Sequence, residues 1–246
     1  MLLFSDIPAN RIYVYDGQSR LEVYREQSNG ANGNAIDRTG RLITCEQSTR
    51  RVTVTDVAGR IAIVCDRYNG RRFNSPNDLV VKSTREIYFT DPPYGVQAGD
   101  RELDFCGVFR VGKDGRVTLL TSGMTRPNGI AFSPDERRLY VSDSSTHEIR
   151  VFDVKSDGTL ANSRVFAKTN LGKPGVPDGM KVDSRGNVYA TASGGVQVFN
   201  AAGARLGVIA VPEVPANIAW GGADRRTLFI TARKGLYKVS LGISGR

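Results

Sequence analysis

A seven-residue phrase that recurs along the chain constrains its fold more than any other feature. The phrase has the form x-Pro-Asn/Asp-x-apolar-x-apolar. It reads Ser75-Pro76-Asn77-Asp78-Leu79-Val80-Val81, then Arg126-Pro127-Asn128-Gly129-Ile130-Ala131-Phe132, then Val176-Pro177-Asp178-Gly179-Met180-Lys181-Val182. A looser copy is Val214-Pro215-Ala216-Asn217-Ile218-Ala219-Trp220, and one without proline is Gly30-Ala31-Asn32-Gly33-Asn34-Ala35-Ile36. The prolines stand 51, 50 and 38 residues apart. Self-similarity at such a period is the mark of a repeat architecture.

Each phrase is followed by a polar turn and a short β-type run: Arg41–Cys45, Glu86–Thr90, Arg138–Ser142, Asn187–Thr191 and Thr227–Thr231, with Leu2–Ser5 opening the chain. A third run follows each of these, and a fourth follows five of the six, as at Leu21–Arg25 and Arg60–Cys65. Asp-Gly turns such as Asp16-Gly17, Asp114-Gly115 and Asp157-Gly158 separate many of them. Short alternating strands in four-strand units, with no amphipathic helix, predict an all-β six-bladed β-propeller spanning residues 1–246 as a single domain. The first unit lacks its innermost strand and the last lacks its outer one, so the expectation is an N-terminally incomplete propeller with an unsealed first blade.

Composition narrows the chemistry. One histidine, His147, excludes a zinc site built on several imidazoles and would have to serve any Ser-His-Asp triad; its place in a Ser-Ser-Thr-His turn reads as rim instead. Cys45, Cys65 and Cys106 form no Cys-x-x-Cys and read as reduced, buried thiols. No apolar stretch is long enough to span a bilayer, so a soluble chain without a membrane partner is expected. The net charge of +9 is spread over Arg-Arg pairs beside turns, with acids close to most of them, and no nucleic-acid motif accompanies it. A solvated surface rather than a nucleic-acid stripe is therefore expected.

In a four-stranded blade the innermost strand starts on one face of the disc and the second strand returns to it. The polar residue of each phrase is thereby placed at the channel mouth: Asn32, Asn77, Asn128, Asp178 and Asn217. Asn32 and Asn217 read equally as pocket lining or as turn residues. The second-strand ends add Asp6, Glu46, Asp91 and Asp143. Amide and carboxylate oxygens without imidazole or thiolate suit a hard divalent cation, Ca²⁺, Mg²⁺ or Mn²⁺, better than zinc. A longer loop from Asp91 to Cys106, carrying Pro92-Pro93-Tyr94-Gly95, joins strands on the same face and reads as a lid or a solvated insertion. Tyr94 and Asp143 join the candidate substrate contacts.

The set Ser-Pro-Asn-Asp-Leu, Tyr-Phe-Thr-Asp-Pro-Pro-Tyr-Gly, Arg-Pro-Asn-Gly-Ile-Ala-Phe-Ser-Pro-Asp-Glu and Pro177-Asp178-Gly179-Met180-Lys181-Val182-Asp183 resembles the family of gluconolactonase, senescence marker protein and luciferin-regenerating enzyme. The resemblance runs nearly the whole chain and is strongest to the bacterial gluconolactonase-like branch. It implies a six-bladed propeller with one divalent cation (Ca²⁺ first, with Mg²⁺, Mn²⁺ or Zn²⁺ as alternatives) and hydrolysis of a small sugar lactone or a related ester. Carried over by motif, Asn128 and Asp178 would be metal ligands, Asp178 the general base, and Asn77 a contact to the metal or its water that orients substrate. The cation would polarise the lactone carbonyl.

Family members carry a Glu-Gly/Ser-Pro-x-Trp phrase, whose Glu binds metal, ahead of the Leu-Leu-Phe-Ser-Asp strand. This sequence opens on that strand, so a weak or absent metal site is expected of it as written. Two readings of function stand: a metal-dependent lactone or ester hydrolase, and a non-catalytic propeller that binds a ligand or protein. The compartment reads as cytoplasmic by default, or periplasmic were a signal peptide to lie upstream.

Overall fold

The protein is described from a computed structural model, which covers residues 1–245. Two compact units divide the chain, Leu3–Pro127 and the residues from Asn128 on together with Met1–Leu2. The first holds three meanders. They are β1 (Leu2–Asp6), β2 (Arg11–Tyr15) and β3 (Leu21–Arg25); β4 (Ala31–Ile36), β5 (Leu42–Glu46), β6 (Arg51–Thr55) and β7 (Ile61–Cys65); and, after the hairpin β8 (Arg67–Tyr68) and β9 (Arg71–Arg72), β10 (Leu79–Val81), β11 (Ile87–Asp91), β12 (Gly107–Val111) and β13 (Val117–Thr121). The second holds β14 (Pro127–Phe132), β15 (Arg138–Asp143), β16 (Glu148–Val154) and β17 (Leu160–Lys168); β18 (Met180–Val182), β19 (Val188–Ala192), β20 (Gly195–Phe199) and β21 (Arg205–Ile209); and β22 (Pro215–Gly221), β23 (Thr227–Ala232) and β24 (Gly235–Ser240).

These six meanders are the blades of a six-bladed β-propeller, as the repeat predicts. Four sheets have four strands, and the first and last have three. No helix is long and apolar enough to cross a membrane. The hairpin β8–β9 is not foreseen by the repeat. Its turn is Asn69-Gly70, with φ of 49° and 80°, the pair of left-handed residues that a tight two-residue hairpin requires.

Burial falls from the second strand of each sheet to the fourth. Every residue of β5, β11 and β19 is buried, whereas β3 and β21 are almost wholly exposed. A strand covered on both faces tolerates no polar alternation, which is why Ile87-Tyr88-Phe89 reads as a continuous apolar run. In the first unit the core centres on Phe73, Phe89 and Phe109, with Phe73 edge-on to the other two at 5.1 Å and those two stacked at 5.4 Å. Cys45 and Cys65 are buried in it, Cys106 is also buried, and the three are reduced thiols, as expected; burial pushes the Cys65 thiol up to about 12.

Neighbouring sheets meet most closely where their innermost strands begin. Within the first unit Gly33 N–H donates to Asn77 O at 2.7 Å, and within the second Gly179 N–H donates to Ala216 O at 2.9 Å. Side-chain hydroxyls from second strands reinforce this: Ser5 Oγ donates to Asn32 O, Ser142 Oγ to Asp178 O and Thr191 Oγ1 to Ala216 O, at 2.8, 2.9 and 2.9 Å. Glycine is required at these points because a Cβ on Gly129 would lie 2.0 Å from Asp178 O. Gly129→Ala is expected to destabilise the fold by about 1–3 kcal/mol, the usual cost of forcing atoms into packed space. Gly207, with nothing within 4 Å of its would-be Cβ, serves as the control, and Gly207→Ala should leave the urea midpoint within error or raise it.

Candidate functional site

In the second unit, Asn128 and Asp178 start the innermost strands of consecutive sheets. Asn128 is 4 % exposed, and its Nδ2 donates to Ser144 Oγ at 3.0 Å. That hydroxyl in turn donates to Pro177 O at 2.8 Å, so one serine ties the Asn128 amide to the residue before Asp178. With the amide nitrogen committed to Ser144, the carbonyl oxygen Oδ1 is the end directed away from it. Asp178 is half-buried, and its main chain is fixed by N–H to Thr191 O at 3.0 Å and by Ser142 Oγ on its carbonyl. The Asp178 backbone and the Asn128 side chain are therefore held before any ligand arrives. Ser144 is a site residue that the sequence reading missed, and its signal was its place two residues past the Ser142 hydroxyl.

Asn217 stands one register position later than Asn128 and Asp178. It is the second residue after its proline, where Asp78 is in the Ser75-Pro76 phrase, and the two behave alike. Asn217 Oδ1 accepts Ile218 N–H at 2.8 Å, and Asp78 Oδ1 accepts Leu79 N–H at 2.9 Å. Their own N–H groups donate to Thr231 Oγ1 and Thr90 Oγ1, both at 3.2 Å. Each also fills the space left open by the neighbouring sheet's glycine: Gly179 for Asn217 and Gly33 for Asp78. Of the two readings left open for Asn217, the structure supplies local, turn-type bonding.

In the first unit Asn77 is 5 % exposed, with its N–H on Thr90 O and its carbonyl on Gly33 N–H. Its side-chain amide makes no hydrogen bond to any described residue. Beside it, Asp78 Oδ2 is buried without a partner. A buried carboxylate oxygen that spends nothing on the protein is costly unless a ligand or water meets it. Asp78 was not foreseen, although it sits inside the phrase. Asn32 is half-buried; its carbonyl accepts Ser5 Oγ and Asn34 Nδ2, which also leaves Asn34 tied to Ser5 Oγ at 2.7 Å.

The acidic ends of the second strands are occupied by the fold. Asp6 Oδ1 accepts Ala9 N–H, and Asp143 Oδ1 accepts the N–H groups of Ser145 and Thr146. Glu46, fully buried, takes Arg51 Nε at 2.7 Å, Arg25 Nη1 at 3.3 Å and Thr53 Oγ1 at 2.9 Å. A buried carboxylate with two guanidinium partners is a structural pair whose halves cannot be removed singly without cost. His147 is half-buried in a turn with φ of 55°, and its carbonyl accepts Thr169 N–H at 2.9 Å.

Asp91 anchors the long loop. Its two carboxylate oxygens accept Asn74 and Ser75 N–H at 2.7 and 2.6 Å, so it fixes the residue that opens the Ser75-Pro76-Asn77 phrase. Arg50 donates to Phe73 O and Asp100 O, and Asn74 Nδ2 to Phe105 O, which stitch the segment 91–106 down along its length. Gly95 N–H rests on Ser75 Oγ, and the exposed Tyr94 ring carries the Arg126 guanidinium 5.5 Å above its centre. The loop is pinned along its length, while Tyr94, Gly95, the stretch 97–100, Glu102 and Asp104 remain exposed.

The SMP-30/Gluconolactonase/LRE-like region matches residues 1–234, and the chain belongs to that family. It is 36% identical to a gluconolactonase of Zymomonas mobilis, over 97% of this chain and 74% of that one. A pentonolactonase of Haloferax volcanii is 28% identical over 95% of this chain and 78% of its own. Among solved structures, a gluconolactonase of Xanthomonas campestris superposes with a TM-score of 0.89 at 34% identity, covering 99% of this chain and 82% of its own.

Burial pushes the Asp91 carboxyl up to about 7, although the Asn74 and Ser75 amides and the charges of Arg50 and Arg101 oppose the shift. Because the unfolded carboxyl ionises near 3.8, Asp91 favours the folded state fully below about pH 4. That contribution is lost as pH rises towards 7. Asp91→Asn, which cannot ionise, should remove this downward slope between about pH 4 and 7 in urea-melt stabilities relative to wild type.

Proposed function

We propose that this protein hydrolyses a sugar lactone, opening the ring to the hydroxy acid. The observation that carries the reading is the locked pair in the second unit, where Ser144 fixes the Asn128 amide and binds the carbonyl of Pro177, next to Asp178. The similarity to gluconolactonases at 36% and 34% identity supports the lactone as substrate class.

In this reading Asp178 receives the proton of the attacking water. The water oxygen forms a bond to the lactone carbonyl carbon, the ring C–O bond breaks, and the proton passes to the departing alkoxide. Ser144 and Ser142, which bond to the Asn128 amide and the Asp178 carbonyl, keep the two side chains in place for this step. Asn217 contributes through the backbone it braces.

A divalent cation, calcium first among the hard ions, fits the donor chemistry of Asn128 and Asp178: one neutral amide oxygen and one carboxylate. Among the described residues no group of three His, Cys, Asp or Glu gathers to hold an ion, so water and substrate oxygens would complete the shell. The bound cation would supply Lewis-acid polarisation of the carbonyl.

The test is a panel of aldonolactones assayed with and without Ca²⁺, Mn²⁺ and Zn²⁺. Turnover should depend on the cation and fall by about 10²-fold or more in Asp178→Asn and Asn128→Ala, as expected for loss of a general base or an electrostatic stabiliser. Lactone binding that persists in both variants without turnover in the wild type would instead establish a non-catalytic binding propeller.

A further inference from the structure

The sheets β4–β7 and β10–β13, both in the Leu3–Pro127 unit, leave between them a crevice of about 300 Å³. Its walls are aliphatic, with Val54 and Val64 from one sheet and Val81 and Val111 from the other. Its rim is made by three hairpin turns, Asp37–Arg41, Lys82–Glu86 and Gly112–Arg116. The first two of these turns follow the innermost strands β4 and β10, so the crevice opens at the strand ends opposite to Asn32 and Asn77. It is separate from the residues assigned above to the lactone.

The rim is cationic. Arg41 is neutralised by Asp37 at 2.7 Å, but no carboxylate among the described residues lies within ion-pair distance of Arg85 or Lys113. Arg85 also stands in a strained position. Like turns at Gly40, Gly59, Gly115, Gly158, Gly186 and Gly203 carry glycine there, with φ between 77° and 88°. Arg85 adopts φ of 75° with a full side chain, a conformation that costs any residue with a Cβ. Glu136 and Arg225 do the same in two other turns, but at Arg85 the strained residue lines a cavity. Strain kept where glycine would relieve it, on a side chain that no acid neutralises, points to a ligand.

Apolar walls demand a hydrocarbon body, and an ammonium beside a guanidinium demands an anionic head. We propose that this crevice binds a small aliphatic carboxylate, with its chain between the valines and its head between Arg85 and Lys113. The site accounts for part of the positive charge that the lactone reaction leaves unused.

Isothermal titration of the full chain with sodium hexanoate at low ionic strength tests the assignment. One saturable site is expected, with hexanol and acetate each binding at least about tenfold more weakly, because each lacks one half of the recognition. Arg85→Gly, which relaxes the turn and so keeps the fold, should weaken hexanoate at least about tenfold. Arg85→Gly combined with Lys113→Gln should weaken it further while lactone turnover stays unchanged. Absence of saturable hexanoate binding, equal binding of hexanol, or undiminished binding in Arg85→Gly would each overturn the proposal.

Discussion

The close approach of consecutive innermost strands is the constraint on which the rest of this molecule depends. Where Gly33, Gly129 and Gly179 stand, the next strand comes so near that no side-chain carbon fits. Backbone amides and second-strand hydroxyls then fasten the two strands across the gap. Asn32, Asn77 and Asp178 are thus held through their own main-chain carbonyls by the preceding sheet. A functional group mounted on backbone that is hydrogen-bonded on both sides loses little freedom when a ligand binds, which is the physical content of preorganisation.

The same device separates positions that look alike in sequence. Asn128 and Asp178 follow proline directly, and Ser144 ties the Asn128 amide nitrogen to the carbonyl that precedes Asp178. Asp78 and Asn217 come one residue later and turn an oxygen back onto their own strand. Asp78 spends only one oxygen this way and leaves the other buried and unmet beside Asn77. The carboxylates at the second-strand ends divide differently again: Glu46 is consumed by two arginines, and Asp91 by two backbone amides.

Much of this was legible from residues alone. The recurring phrase predicted six four-stranded units, with the two short ones at the ends, because a repeat of apolar pairs after a fixed turn leaves few alternatives. The line of hydroxyls Ser5, Thr44, Thr90, Ser142, Thr191 and Thr231 was equally visible as text, yet its role needed the register between neighbouring sheets. Matching Asn217 to the other asparagines by residue type rather than by distance from its proline shifted it by one. In a strand, a shift of one changes which way a side chain faces. The ion pairs of Glu46 and the crevice beside Arg85 were not legible, since they arise from residues that meet only when two sheets pack and a turn adopts positive φ.

Every one of these fastenings points forward along the chain. Ser5 waits for Asn32, Ser142 for Asp178 and Thr191 for Ala216, over 27, 36 and 25 residues. During synthesis, then, a completed sheet cannot seal its inner edge until its successor's opening strand has left the ribosome. Translation and assembly advance in step, one blade always in arrears, with an unsealed inner edge that moves with the growing end.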